Sequence, residues 1–217
     1  LPVEEAVRIA REVLDALGYA HRHGLVHRDI KPENILLSEG YALVADFGIA
    51  KAVAEAAEAD TPVAATGVAQ AGKDRVTETG WGMGTPAYMS PEQIGGAPVD
   101  GRSDLYGLGC VLHEMLTGEP PFTGPTREAI FAQHLRGPGG PLRERCPDVR
   151  EEVERAVVRS LAKAPEERFA TAAEFADALQ RALAVRRSRR SAALVATTII
   201  GLAAAAHQGF SANIFTL

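Results

Sequence analysis

The string His27-Arg28-Asp29-Ile30-Lys31-Pro32-Glu33-Asn34, with Asp46-Phe47-Gly48 beginning twelve residues after its Asn, constrains this chain more than any other feature. Two carboxylates and an amide at that spacing are what metal-assisted phosphoryl transfer requires. One carboxylate orients a hydroxyl nucleophile, while the second carboxylate and the amide oxygen hold a divalent cation against nucleotide phosphates. Short β-type runs lie around them at Leu25-Val26, Ile35-Leu36-Leu37 and Ala42-Leu43-Val44, with Glu39-Gly40 as the turn between the last two. Both groups are therefore expected at strand ends, where a rigid scaffold can fix them.

Three further strings follow in order. Ser90-Pro91-Glu92 comes first, then Asp100-Gly101-Arg102-Ser103-Asp104-Leu105-Tyr106-Gly107-Leu108-Gly109, then Pro165-Glu166-Glu167-Arg168-Phe169. Together the five motifs resemble those of eukaryotic-type serine/threonine protein kinases, in particular the bacterial membrane-associated branch, over about residues 2–183. The resemblance implies an α+β, mostly helical fold. It implies the C-terminal lobe of a protein kinase, with a short β ribbon at the catalytic loop and the activation segment at 46–92.

The same resemblance assigns roles. Asp29 is the expected catalytic base and Lys31 the expected contact to the transferring phosphoryl group. Asn34 and Asp46 are hard oxygen ligands suited to Mg²⁺ or Mn²⁺ completed by the phosphates of ATP. Leu36 matches the floor of the adenine pocket, and Phe47 is expected to pack on His27. Arg28 marks kinases switched on when an activation-loop phosphate pairs with it, and Thr77 and Thr79 resemble the paired-threonine site of bacterial members. Thr85 is expected to hydrogen-bond Asp29 and Lys31. Glu92 with Arg168, and Asp104 with the catalytic-loop backbone, are expected to be structural. His21, His23 and His27 do not make a zinc set, because no cysteine or carboxylate completes one.

The chain begins inside what the pattern gives as the long helix before the catalytic loop. In the family a smaller lobe precedes that helix, carrying a glycine-rich loop, a strand lysine and a helix glutamate. None of these is found. Gly80-Trp81-Gly82-Met83-Gly84 has no strand before it and no helix after it, so it is discounted as a phosphate cradle. The expectation is a C-terminal lobe with its N-terminal lobe absent. Two readings of this polypeptide compete: a protein-serine/threonine kinase seen as a fragment, and a non-catalytic kinase-like module that binds or regulates a partner. A small-molecule kinase is disfavoured by the Ser-Pro-Glu segment.

A chain of 217 residues with 46% hydrophobic and 24% charged residues can bury one sizeable core. Its net charge of −5 is unevenly spread. Residues 181–217 hold five arginines and no acid, leaving residues 1–180 with 18 basic against 28 acidic side chains. The acidic body argues against a nucleic-acid partner, and the basic tail suggests a membrane surface. Two cysteines, Cys110 in an apolar helix and Cys146, fit a reducing cytosol.

Apolar residues at Val3, Val7, Ala10, Leu14 and Leu17 form a helical stripe over 3–22. Residues 52–80 show no clear period and are expected to be a long mobile loop. Residues 103–116 are apolar almost all round, as in a helix buried on every side. Further helices are expected near 126–136, 150–162 and 171–184. Residues 184–191 form a basic juxtamembrane segment.

Within 192–214, the fifteen residues Ala192 to Ala206 carry no charge. As a helix they reach about 22 Å, short of a hydrocarbon core about 30 Å thick. The arginines at 186, 187, 189 and 190 stand where cytoplasmic retention wants them. The expectation is a kinase lobe on the cytoplasmic side anchored by a single C-terminal span, the alternative being a disordered alanine-rich tail. Expected partners are proteins with Ser/Thr acceptors and a second copy of the kinase for trans-autophosphorylation.

Overall fold

The computed structural model describes residues 1–47, 86–137, 139 and 142–184. The chain divides into two units, Leu1–Leu179 and Gln180–Leu217. In the second unit the described residues, 180–184, are helical. No helix among the described residues is long and apolar enough to cross a membrane. The uncharged run at 192–214 and the basic segment at 185–191 lie outside the described residues, as does most of the activation segment.

Helix α1 spans Val3–Arg22 and buries Ala6, Val7, Ile9, Ala10, Val13, Leu14, Leu17 and Ala20, a fuller version of the expected stripe. Glu4 and Glu5 in its first turn and His21 and Arg22 in its last complement the helix dipole. At its end the Gly24 N–H bonds His21 O and the Leu25 N–H bonds Ala20 O. Gly24 at φ +74° supplies the left-handed residue this closure needs. The strand expected at Leu25-Val26 does not form, because the Leu25 donor is used to end the helix and no partner strand runs beside it among the described residues.

The two other β runs pair. Strand β1 (Ile35–Ser38) lies antiparallel to β2 (Tyr41–Val44), with Leu36 opposite Leu43 and Ser38 opposite Tyr41. One face of the ribbon rests on α1, where Ala42 is buried. On the other face Leu36 is 51% and Leu43 53% exposed.

A short helix α2 (Pro91–Gly95), not anticipated, follows a single 3₁₀ turn at Pro86–Tyr88. Ser90 caps α2 through the Gln93 N–H while Gln93 Oε1 accepts the Ser90 N–H. The central helix α3 (Gly101–Thr117) is buried without a break from Ser103 to His113. Leu105, Leu108 and Leu112 are each about fully buried, worth roughly 2 kcal/mol apiece. Gly118, at φ +86°, ends it.

Close approach explains two glycines inside α3. A Cβ on Gly107 would stand 3.1 Å from the Ile30 carbonyl oxygen, and one on Gly109 would collide with Ser160 Oγ. α3 thus touches the catalytic loop directly on one side and the helix that ends at Ser160 on the other. The remaining helices are α4 (Arg127–Arg136), the short α5 (Leu142–Arg145), α6 (Glu151–Ser160) and α7, which begins at residue 172 behind its Thr171 cap. The resulting α+β, mostly helical lobe has its small sheet at the catalytic loop, as expected.

Candidate active site

Asp104 organises the catalytic loop from the first turn of α3. Its side chain is fully buried. Oδ1 accepts the Arg28 N–H at 2.7 Å, and Oδ2 accepts the His27 N–H at 2.9 Å and meets His21 Nε2 at 2.8 Å. Gln93 Nε2 donates to the Arg28 carbonyl at 2.8 Å, so both peptide groups of Arg28 are tied down. Arg28 needs this, since its φ of +66° lies in the left-handed region, which costs a non-glycine residue of order 1 kcal/mol. The twist turns the next side chain, Asp29, away from the core.

Asp29 meets Lys31 Nζ at 2.9 Å through Oδ2. Asn34 Nδ2 donates to the Asp29 carbonyl at 2.8 Å and more weakly to Oδ2 at 3.3 Å. The carboxylate is therefore positioned but still 24% exposed, so it can meet a hydroxyl from solvent. The Asp29 N–H donates to His27 Nδ1 at 3.3 Å, which leaves the His27 proton on Nε2, donating to Ala45 O at 2.9 Å.

That last bond couples the loop to the second acid. Ala45 N–H in turn donates to Asn34 O at 2.9 Å, and Phe47 packs on the His27 ring with centroids 4.7 Å apart. Asp46 sits between these two anchors at φ +54°, exposed and with no side-chain hydrogen bond among the described residues. Asn34, nearly buried in the turn Pro32–Asn34, commits its amide nitrogen to Asp29 and keeps Oδ1 without a protein partner among those residues. An acidic and an amide oxygen left unused among the described residues, one charged and one neutral, fit a hard divalent cation. Leu36 presents its exposed side chain from β1 on the same stretch of chain.

A second buried carboxylate lies behind the loop, on α2. Arg168, with no exposed side-chain surface, holds Glu92 by two hydrogen bonds of 2.7 Å. The Ser103 hydroxyl also donates to Glu92 Oε1. The rest of the guanidinium is spent on the carbonyls of Ala162, Arg102 and Lys163. Burial alone would raise the Glu92 carboxyl, but Arg168 and Ser103 outweigh it and hold Glu92 below the usual carboxylate range.

Three contacts escaped the sequence reading. His21 joins Asp104, Gln93 reaches the Arg28 carbonyl, and the Tyr88 hydroxyl donates to Glu114 Oε2 at 2.6 Å. Burial, reinforced by Glu114, raises the Tyr88 phenol above its ordinary value. Only Gln93 had a local signal, as the third residue after the Ser90 cap. Thr77, Thr79 and Thr85 lie outside the described residues. His23, the remaining histidine of the trio, bonds the Tyr19 carbonyl.

Asp29, held by Lys31 and Asn34, thus lies on the same helical lobe as the turn that carries the second carboxylate, Asp46. The protein kinase domain model matches residues 1–194. The serine/threonine-protein kinase PknB of Mycolicibacterium smegmatis is 44% identical over 171 residues, covering 78% of this chain and 25% of the relative. A probable serine/threonine-protein kinase PknB of Bifidobacterium longum is 43% identical over 164 residues, 75% of this chain and 21% of its own length. The crystal structure of the Mycobacterium tuberculosis PknI kinase domain superposes with a TM-score of 0.57 at 32% identity, covering 84% of this chain and 56% of that one. The chain belongs to the protein kinase family, in its eukaryotic-type bacterial serine/threonine branch. It spans about a quarter of the length of these curated relatives.

Proposed function

We propose that this chain carries the catalytic and metal-holding groups of a protein-serine/threonine kinase that transfers the γ-phosphoryl group of ATP to Ser/Thr hydroxyls of proteins. The observation that carries this reading is the Asp29 carboxylate, held by Lys31 and Asn34 with 24% of its side chain exposed. Asp29 orients the acceptor hydroxyl and takes up its proton. Lys31, already on Asp29, is placed to follow the transferring group. Asn34 Oδ1 and Asp46 hold Mg²⁺ or Mn²⁺, which when bound neutralises charge on the nucleotide phosphates. Leu36 supports the base of the nucleotide. In the full-length protein Asp29→Asn is expected to lower transfer to a protein substrate by roughly 10² or more. A wild-type rate in that variant would remove the role.

The finer parts of the reading concern regulation. Phosphates on Thr77 and Thr79 pair with Arg28 after one copy of the kinase modifies another. Thr85 steadies Asp29 and Lys31. Residues 184–191 and 192–214 hold the lobe at the cytoplasmic face of a membrane.

A second reading is a non-catalytic kinase-like module that binds or regulates a partner; the sequence of residues 1–217 carries no motif for the glycine-rich phosphate loop. Positioning supplies most of the rate in phosphoryl transfer. The 217-residue polypeptide by itself is therefore expected to be nearly inert, while the full-length protein autophosphorylates. Equal inactivity of the full-length protein would favour the module.

A further inference from the structure

We propose that Lys163 is an acyl-acceptor site, whose Nζ takes an acyl group from acyl phosphates and, once modified, loosens the packing beneath the turn at Pro86–Tyr88. This goes beyond phosphoryl transfer and does not rest on it.

The sequence has lysines only at 31, 51, 73 and 163. Lys31 is held by the Asp29 carboxylate at 2.9 Å. Lys163 meets no carboxylate among the described residues, and its one hydrogen bond runs to the exposed Gln133 carbonyl at a long 3.4 Å. Its Nζ instead stands over the Phe122 ring, 4.1 Å from the centroid, and 5.9 Å from that of Tyr106. The Arg168 guanidinium occupies the same Tyr106 ring at 4.8 Å. Two cations share one ring, and of the two only Arg168 has a carboxylate partner among the described residues, in Glu92, which favours the neutral form of the one that can lose a proton. Arginine cannot. Burial, with Arg168 adding to it, pushes the Lys163 amine down to about 8. Near pH 8 about half of it is neutral, against roughly 0.4% for a solvated lysine. The amine is only half-buried, and its hydrogen bond lies at the surface, so a small reagent can reach it.

The step needs nothing further. The Nζ lone pair adds to the acyl carbon, the bond from that carbon to the phosphate oxygen breaks, and phosphate leaves with the electron pair. The Nζ proton passes to water, and an amide remains. The amide has no charge to lay on Phe122 and Tyr106. Those rings carry His134, which packs on Phe122 at 4.6 Å and bonds the Tyr106 hydroxyl through Nδ1 at 2.8 Å. His134 is fully buried in α4 against the backbone of Pro86 and Ala87. Loss of the cation thus reaches the turn that leads into Ser90-Pro91-Glu92.

The test uses acetyl phosphate at limiting concentration with the full chain, folded and in concentrated urea, followed by site-resolved mass spectrometry. Lys163 is expected to be acetylated about ten-fold faster than Lys31 in the folded chain, and to lose that advantage in urea. Equal rates at the two lysines, or a ratio unchanged by urea, would overturn the assignment. Lys163→Arg keeps the cation and Lys163→Gln stands for the acylated state. The thermal midpoint is expected to fall in the Gln variant and to hold in the Arg variant, and equal midpoints would overturn the structural consequence.

Discussion

Asp104 Oδ1 accepts the Arg28 N–H at 2.7 Å, and Arg28 is the residue of the catalytic loop held at positive φ. The carboxylate is the clamp on a strained peptide, and the strain aims Asp29.

Asp104→Ala removes three hydrogen bonds at once and strands the buried His27 N–H and the part-buried Arg28 N–H. The expected loss is about 3 kcal/mol or more of stability, read by urea unfolding. Asp104→Asn keeps the shape but offers one acceptor instead of two, so about 1–3 kcal/mol is expected. A change within experimental error in both variants would show that the loop holds its conformation unaided.

Arg168→Ala leaves Glu92 charged and buried, at an expected cost of about 3–5 kcal/mol. Replacing both by leucine and methionine is expected to cost less than the single change, because no charge is stranded. The pair also sets an acid dependence. The folded Glu92 carboxyl lies below its ordinary 4.5. Its contribution is therefore complete above that value and is lost as pH falls through the lower, folded one. Unfolding followed between about pH 6 and pH 3 should show a shallower acid decline in Glu92→Gln than in the parent.

Asp46 is exposed and makes no side-chain hydrogen bond among the described residues, so stability should not depend on its charge. Asp46→Asn keeps a side chain that tolerates positive φ and is expected to change stability by no more than about 0.5 kcal/mol. In the full-length protein the same change should weaken Mg²⁺-dependent ATP binding by roughly ten-fold or more, measured by calorimetry at fixed nucleotide. Binding that stays unchanged would remove Asp46 from the metal site.

The regulatory proposal joins the threonines to the tail. If Thr77 and Thr79 are modified in trans, confinement to a membrane raises the encounter rate. The four arginines at 186–190 add about 1 kcal/mol each near an anionic leaflet. Mass spectrometry of the full-length protein from cells, with and without residues 186–217, is expected to show less phosphate on both threonines and less protein in the membrane fraction when the tail is removed. Unmodified threonines, or phosphorylation and fractionation indifferent to the tail, would break the coupling.

The kinase resemblance singled out Asp29, Lys31, Asn34 and Asp46 from one contiguous string and one short turn, and the structure brings the first three into direct contact. The ribbon β1–β2 and helices α1 and α3 were legible because their apolar periods are local. Leu25-Val26 misled because a β-type pair cannot reveal that its N–H closes a helix. Helix α2 was passed over although its Ser90 and Gln93 carry the capping signature.

What the sequence alone determined is the set of reactive groups and the order in which the chain delivers them. What only the tertiary structure decided is how they are held. His21 meets Asp104 across 83 residues, Gln93 meets the Arg28 carbonyl across 65, and Lys163 lies on the rings of Tyr106 and Phe122. Such contacts depend on where whole helices pack. Packing answers to shape and burial summed over the lobe, so no local pattern encodes the partner that a distant side chain will find.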